Sequence, residues 1–327
     1  MQFVNNFRGI AILMVMMAHA VSAVPSNDSF LVYMLDVLLE NSTLLFVAVA
    51  GYLFSFLSVN FNYVQFLKNK FYAVLVPYFF ISIPAIMLFI FEYKQVHRWV
   101  DLAWLQQLNV FEQAGYLLVT GAHLGPLWFI PMIILFYLSS PLLLMINNKW
   151  TLPIAFFVSL VAAYYTGRPE FNENALESFV YFMPAYLLGM LLVKYKKIYE
   201  TFSPFSLVLG LVWLAFIVMV SLSVEMTSSI DLLLKLGLTV LMLAFCKQYF
   251  DYKNRWLDMF ARLSFFLFFI HGYFSGAIRV FYRVTHLEFE GLAAVLMSFV
   301  IITLASLSVF VVLKLMFSHH TKRFIGV

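Results

Sequence analysis

The chain contains 327 residues, and its 38 phenylalanines outnumber the 20 basic and 16 acidic residues together. Hydrophobic residues make up 64% of the sequence and charged residues only 11%, whereas a soluble domain carries about a quarter charged residues. This composition excludes a soluble globular protein, because too few charges are present to cover its surface. With only 13 glycines and 10 prolines, the chain is neither collagenous nor disordered. The single cysteine, Cys246, excludes an intrachain disulfide.

Apolar segments of about 20 residues, the length that crosses a bilayer, recur along the whole chain. We predict about ten transmembrane helices, and therefore an all-α, polytopic membrane bundle that forms one domain over residues 1–327. The first span is expected to be retained rather than cleaved as a signal peptide, because Arg8 and His19 bracket its apolar run and further spans follow. In chain order, the predicted spans are Phe7–Val24, Ser42–Val59, Phe71–Phe91, Leu124–Ile146, Thr151–Tyr165, Phe179–Val193, Phe205–Val224, Ile230–Phe245, Leu263–Val284 and Gly291–Phe317.

The distribution of basic residues predicts the orientation, because Lys and Arg are enriched in cytoplasmic loops. If the N-terminus lies in the cytoplasm and the spans alternate, 13 basic residues fall on the cytoplasmic side and five on the outer side. This asymmetry predicts that both termini are cytoplasmic. The cytoplasmic set is Arg8, Lys68, Lys70, Lys149, Lys194, Lys196, Lys197, Lys247, Lys253, Arg255, Arg262, Lys322 and Arg323. The other five, called here the outer basic residues, are Lys94, Arg98, Arg168, Arg279 and Arg283.

The longest connection between spans runs from Glu92 to His123. Its apolar residues recur near helical spacing, which predicts an amphipathic or re-entrant helix at the membrane interface. We find no internal repeat, which argues against a transporter built from repeated halves.

Arg8 and His19 are the first candidates for chemistry, because ionisable groups inside a span are costly and mark function. Eleven helical steps rotate by about 1,100°, so both side chains share one stripe of the helix, about 16 Å apart along its axis. A guanidinium at the cytoplasmic mouth suits a phosphate-bearing ligand, and an imidazole suits proton transfer. The pattern is equally compatible with a positive-inside anchor and an interfacial histidine.

Four further residues are candidates for binding a substrate. His271 lies inside a span, so it is predicted to line the same cavity as His19, or else to be a structural histidine bonded between helices. Trp128 suits stacking on the face of a ligand ring, and also suits an interfacial aromatic belt. Asp36 and Glu40 are predicted to orient the imidazole of His19 or to accept hydrogen bonds from ligand hydroxyls, with solvated loop residues as the alternative. No metal is expected, since no His, Asp and Glu residues have ligand spacing.

A series of short motifs carries a resemblance to one protein family. Arg8 and His19 are separated by ten residues, and the other motifs follow in order along nearly the whole chain. These are FVAVAGY at Phe46–Tyr52, FLKNK at Phe66–Lys70 with Pro77-Tyr78 after it, LWFIP at Leu127–Pro131, YLLGM at Tyr186–Met190 and SFFLFFIH at Ser264–His271. With these motifs the chain resembles the acyltransferase-3 family of integral-membrane O-acyltransferases. Ala50 and Ala73 stand where that family usually has Ser and often has Arg.

The resemblance implies an enzyme that moves an acyl group, usually acetyl, from cytoplasmic acyl-CoA to a hydroxyl of a cell-surface polysaccharide or lipid-linked sugar. It implies that Arg8 and His19 are catalytic, with His19 as a general base or, alternatively, as an acyl-carrying nucleophile. Arg8, Lys68 and Lys70 would bind the phosphates of acetyl-CoA, the co-substrate.

The implied location is a bacterial cytoplasmic (inner) membrane, which the chain crosses several times. The implied partners are acyl-CoA, a glycan or lipid-linked sugar and membrane lipid, with no nucleic acid, and a homo-oligomer is left open. A transporter or flippase for a lipid-linked sugar or a small solute is the alternative function, because many spans with buried ionisable residues suit it too.

Overall fold

The computed structural model describes residues 1–25, 29–286 and 289–317. It is 83% helical and has no strand within these ranges, which confirms the all-α prediction. The α-helices are α1 (Gln2–Val21), α2 (Phe30–Leu39), α3 (Thr43–Leu57), α4 (Tyr63–Lys70), α5 (Val76–Ile90), α6 (Leu102–Gln107), α7 (Val110–Thr120), α8 (Phe129–Leu138), α9 (Ser140–Met145), α10 (Thr151–Thr166), α11 (Ala175–Lys194), α12 (Lys197–Phe202), α13 (Ser206–Ser223), α14 (Ser228–Tyr249), α15 (Arg255–Arg262), α16 (Ser264–Thr285) and α17 (Gly291–Phe317).

Eight helical segments in the described part of the chain are long and apolar enough to cross a membrane. A ninth is added if Val110–Thr120 and Gly125–Leu138, which are bent by 74° relative to each other, form one span. The remaining predicted span corresponds to α10, whose 16 residues are fewer than the roughly 20 that a bilayer needs. The chain is therefore a multi-pass membrane protein, while the count of ten and the cytoplasmic termini stay predictions. Lys322 and Arg323, which contribute to the predicted orientation, lie outside the described residues.

Helix α1 lies at the centre of the bundle and contacts α2, α3, α14, α15, α16 and α17. Near its N-terminus, Asn6 Nδ2 donates to the carbonyls of Phe250 and Tyr252, at 2.6 and 2.9 Å. A Cβ atom on Gly9 would lie 2.5 Å from the carbonyl oxygen of Leu257, so only glycine lets α1 and α15 approach this closely. Both Arg8 and His19 are thus carried by one helix that packs against six others.

The closest helix packing joins α3 to α11. A Cβ atom on Gly51 would lie 2.0 Å from the carbonyl oxygen of Tyr186, and one on Gly189 would lie 1.9 Å from that of Ala48. Small residues at such positions allow the backbones of membrane helices to touch. The FVAVAGY motif on α3 and the YLLGM motif on α11 therefore pack directly against each other.

Helix α2 was not predicted from the sequence, which treats residues 25–41 as a connection between spans. After α2, Asn41 has a φ of 56°, which is not a helical value, so the helix is interrupted between α2 and α3. Asn41 Nδ2 donates to the hydroxyl of Tyr181 at 3.0 Å, and that hydroxyl donates to the carbonyl of Ser228 at 2.8 Å. These hydrogen bonds connect the interruption between α2 and α3 to α11 and to the start of α14.

A buried ion pair stabilises the same region. Lys235 is fully buried, and its Nζ lies 3.8 Å from Asp231 Oδ1, one turn earlier on α14. Lys235 Nζ also donates to the carbonyls of Val37 and Leu38, at 2.7 and 2.9 Å. A cation beside the last carbonyls of a helix is favourable, so Lys235 caps α2. Asn41 Nδ2 donates to Asp231 Oδ2 at 2.7 Å, which connects the Asp231–Lys235 ion pair to the interruption between α2 and α3.

The long connection from Glu92 to His123 contains two short helices, α6 and α7, rather than one. Asp101 caps α6 by accepting from two backbone amides of its first turn. Asn109 and Glu112 form a capping box at the start of α7. Each cap starts a new helix, which explains why the apolar spacing of this stretch does not continue as a single helix.

Candidate active site

The structure brings two histidines from distant parts of the sequence together. His19 lies in the last turn of α1 and His271 in the third turn of α16. Their ring centroids are 4.8 Å apart and the rings meet edge to face, at 61°. The two imidazoles therefore form one site, which we call the histidine pair.

The hydrogen bonds of His271 determine which of its nitrogens carries the proton. Its Nδ1 lies 2.8 Å from the carbonyl oxygen of Leu267, which can only accept, so Nδ1 is the donor. The neutral ring then has a lone pair on Nε2. That atom is buried and has no hydrogen-bond partner among the described residues. A buried acceptor without a partner is costly, and it marks a position where a ligand or another ring can donate.

The carboxylates predicted to orient His19 have other surroundings. Glu40 lies 4.0 Å from Arg168, and Asp36 is exposed on α2. Neither forms a hydrogen bond with the ring of His19 in the described part of the chain. The positive charges of Arg168 and Arg279 are instead close enough to act on the His19 ring.

Arg8 lies on the same helix as His19, about 16 Å towards its N-terminal end. Its terminal guanidinium nitrogen Nη2 donates to the carbonyl of Ala261, at the end of α15. Its Nε is buried and has no partner among the described residues. Nη2 is thus bonded within the protein, whereas the N–H of Nε is available to donate to an anion.

Lys68 and Lys70 lie on the Arg8 side of the bundle. Both line a cavity of about 410 Å³ between α4, the segment after it and α8. Lys70 Nζ lies 5.0 Å from the ring centroid of Tyr137 and 5.5 Å from that of Phe66, and its charge is close enough to act on that of Arg8. Lys68 is exposed. The predicted phosphate-binding cations therefore converge on one end of the molecule.

A π-helix, Phe71–Leu75, follows Lys70 directly. Such segments are rare and occur often at functional sites, because the extra residue changes the direction of the following side chains. The sequence gives no signal for it, and it separates the basic segment from α5.

Trp128, a candidate from the sequence, and His123, the last residue of the long connection, are packed inside the protein. Trp128 is 9% exposed, and its ring centroid lies 5.4 Å from that of Phe182. His123 is buried with both nitrogens engaged, Nε2 with the hydroxyl of Ser82 at 2.7 Å and Nδ1 with the carbonyl of Leu117 at 2.8 Å. The structure does not place either ring in contact with the histidine pair.

Comparison with known proteins gives one finding. A family model described as an acyltransferase domain matches residues 1–315 of the 327. No curated protein and no solved structure has a significant match to the chain.

Proposed function

The chain belongs to the acyltransferase-3 family, and we propose that it transfers an acyl group, acetyl in the simplest case, from cytoplasmic acyl-CoA to a hydroxyl of a cell-surface polysaccharide or lipid-linked sugar. Acyl transfer by a multi-pass membrane protein follows from the family match and the apolar helices. The proposal adds the donor, the sugar hydroxyl and a bacterial cytoplasmic membrane as the location. The single observation that supports it most is the histidine pair, held at the opposite end of α1 from Arg8.

The donor is assigned to the Arg8 side, which we place in the cytoplasm. CoA carries several phosphate groups, and phosphates are bound by arginine and lysine through charge-assisted hydrogen bonds. Arg8 Nε is buried without a hydrogen-bond partner in the part of the chain that the structure describes, and Lys68 and Lys70 line a cavity on the same side. With the phosphates there, the thioester end of acyl-CoA would extend along α1 towards His19.

The reaction needs a base, because a sugar hydroxyl is a weak nucleophile until its proton is removed. We assign this role to His19. As His19 takes the proton, the sugar oxygen forms a bond to the thioester carbonyl carbon. The carbon–sulfur bond then breaks, and the CoA thiolate takes the proton back from His19. The products are the sugar ester and free CoA.

His271 is assigned a positioning role in this reaction. Since its Nε2 has a free lone pair, it can accept a hydrogen bond from an N–H group of His19. That bond would leave the other nitrogen of His19 unprotonated and able to act as the base. The arrangement has the logic of a catalytic triad, in which one group fixes the tautomer of the histidine that moves the proton.

The experiment uses the purified protein in nanodiscs, with acetyl-CoA and a panel of oligosaccharides. Release of free CoA and formation of the acetyl ester are measured together. His19→Ala should lower the turnover number by about 100-fold or more, the usual contribution of a general base. His286→Asn, which replaces an exposed histidine at the end of α16, is the matched control and should stay active. Unchanged acyl transfer by His19→Ala would overturn the assignment of the base.

A further inference from the structure

The outer basic residues come from three separate parts of the chain. Lys94 and Arg98 lie in the connection after α5, Arg168 lies in the connection after α10, and Arg279 and Arg283 lie in the last turns of α16. If the Arg8 side is cytoplasmic, they lie on the outer side, where basic residues are normally depleted. Membrane topology therefore does not account for them.

Four of these five residues lie close enough to act on one another, and two of the five, Arg168 and Arg279, also act on the ring of His19. Arg98 lies over the ring of Phe171, 5.9 Å from its centroid, and Arg168 donates from Nε to Asn172 at 3.0 Å, so the two connections meet. The charge of Arg279 acts on Arg98, and both Arg279 and Arg283 act on Lys94. Burial, together with these last two charges, lowers the pKa of Lys94.

The direction of the Arg279 side chain connects this cluster to the site. Arg279 lies eight residues after His271 on α16, about 12 Å further along the helix axis. Its Nε donates to the carbonyl of Ser275 at 3.4 Å, so the side chain extends back along the helix towards His271. The charge of Arg279 acts on both His19 and His271.

Few of these positive charges form an ion pair. Of the four ion pairs in the described part of the chain, one includes an outer basic residue, Arg168 with Glu40. That pair is long, at 4.0 Å, and the Glu40 side chain is 62% exposed. Arg168 and Arg279 are half-buried, where like charges repel one another more strongly than in bulk water, and an anionic ligand would relieve the repulsion.

The histidine pair supplies an acceptor for a hydroxyl at the same place. Among the described residues, His271 Nε2 is a buried acceptor without a hydrogen-bond partner, and the ring of His19 lies next to it. With an N–H of His19 donating to that nitrogen, the other nitrogen of His19 is the acceptor for a hydroxyl, and the cations that suit an anion lie beside it. A ligand that satisfies both carries a hydroxyl and a negative group on the same molecule.

We infer that the sugar acceptor is anionic, with its carboxylate or phosphate bound by Arg279, Arg98 and Arg168 while its hydroxyl meets the histidine pair. This inference rests on the proposed function. The negative group has two possible sources, an acidic sugar in the glycan itself or the diphosphate of a lipid carrier. Both share the chemistry that guanidinium groups bind.

The test compares three ligands by calorimetry with the full chain in nanodiscs of zwitterionic lipid, without acyl-CoA. The first is an oligosaccharide with one uronate per repeat, the second is the same oligosaccharide with its carboxyl groups reduced, and the third is the reduced oligosaccharide joined to a short prenyl diphosphate. We expect the first or the third to bind at least about tenfold more tightly than the second. Which of them does so identifies the source of the negative charge.

The variants distinguish a specific site from general attraction. Arg279→Gln should remove the tenfold preference and leave the affinity for the neutral oligosaccharide unchanged. Arg98→Gln, in an exposed connection, should weaken the preference even if Arg279→Gln fails to fold. Arg255→Gln, an exposed arginine on the other side, is the control and should bind all three ligands like the wild type.

Equal affinities for the charged and neutral ligands, or no binding of any of them, would overturn the inference. A weakening of all three ligands alike by Arg279→Gln would overturn it too. Failure of the proposed function has a different signature, because binding is measured without a donor. In that case acyl transfer from acetyl-CoA would be absent, or unchanged by His19→Ala, whatever the ligand preference.

Discussion

Replacing Lys235 by methionine should cause a large loss of stability, although Lys235 lies outside the proposed active site. Its ammonium group donates to two carbonyls at the end of α2 and pairs with Asp231, and its side chain is fully buried. Each charge-assisted hydrogen bond contributes about 1.5–3 kcal/mol. Removing one partner of a buried ion pair costs about 3–5 kcal/mol, because the other charge is left without compensation. Since these contributions overlap, we expect Lys235→Met to lower the free energy of unfolding by about 4 kcal/mol.

The chain offers a matched control on the same helix. Lys247 and Asp251 have the same spacing as Asp231 and Lys235, but both of their side chains are 35% exposed. An exposed pair contributes about 1 kcal/mol or less, so Lys247→Met should have a small effect. Adding Asp231→Asn to Lys235→Met should restore part of the lost stability, because the carboxylate without a partner is then gone.

The assay uses thermal unfolding in detergent, followed with a thiol-reactive fluorogenic dye. Cys246 is the only cysteine and is buried, so the dye reports unfolding. Lys235→Met should lower Tm by roughly 5–10 °C. A loss no larger than that of Lys247→Met, or no recovery in the double variant, would refute the reasoning.

Three further predictions follow from other parts of the structure. Arg8→Gln should weaken CoA binding by about tenfold or more in calorimetry, since it removes a charged donor for phosphate. Gly189→Val should prevent α3 and α11 from packing, because its Cβ would lie 1.9 Å from the carbonyl oxygen of Ala48, and the Tm should fall strongly. Burial, together with the charge of Lys94, lowers the pKa of His97, although the carbonyl of Ala122 partly opposes this. Just below about pH 6.5, His97 in the folded Glu92–His123 connection therefore binds fewer protons than in the unfolded connection. Lowering the pH through this range should therefore favour local unfolding of the connection. Amide hydrogen exchange measures this opening.

Each of these has a result that would contradict it. Wild-type CoA affinity in Arg8→Gln would remove the donor site from the Arg8 side, and no CoA affinity in the wild type would favour a transporter. Gly189→Ala provides the graded comparison for Gly189→Val, and wild-type stability of both would show that the helices separate without cost. Exchange that does not change between pH 7.5 and 5.5, or that changes equally in His97→Gln, would exclude His97 as the titrating group.

The sequence predicts the site best where the residues concerned lie on one helix. The spacing of Arg8 and His19 predicts one stripe of one helix, and α1 spans both residues. The all-α bundle follows from the apolar composition alone. Because an imidazole inside a span needs a polar neighbour, the sequence predicts His271 either in the cavity of His19 or bonded between helices, and the structure places its ring beside that of His19.

Features that depend on several segments could not be predicted in the same way. The Asp231–Lys235 pair has a signal in its spacing of four residues within an apolar helix, but its partners on α2 come from nearly 200 positions earlier. The convergence of the outer basic residues has no periodicity, because it is produced by how three connections and helix ends meet. Asp36 and Glu40 are close to His19 in the sequence, but the structure places Glu40, which follows α2, 4.0 Å from Arg168. A role of either carboxylate in orienting His19 or in binding sugar hydroxyls stays a prediction.

The most direct test of the central proposal is mass spectrometry of the surface glycans of cells that lack the gene and are complemented with single variants. With the wild type or His286→Asn, we predict glycans that carry the mass increment of an acyl ester. With His19→Ala, produced at the same level in the membrane, we predict that this increment is absent. Acylated glycans in the His19→Ala cells, at the wild-type amount, would contradict the account.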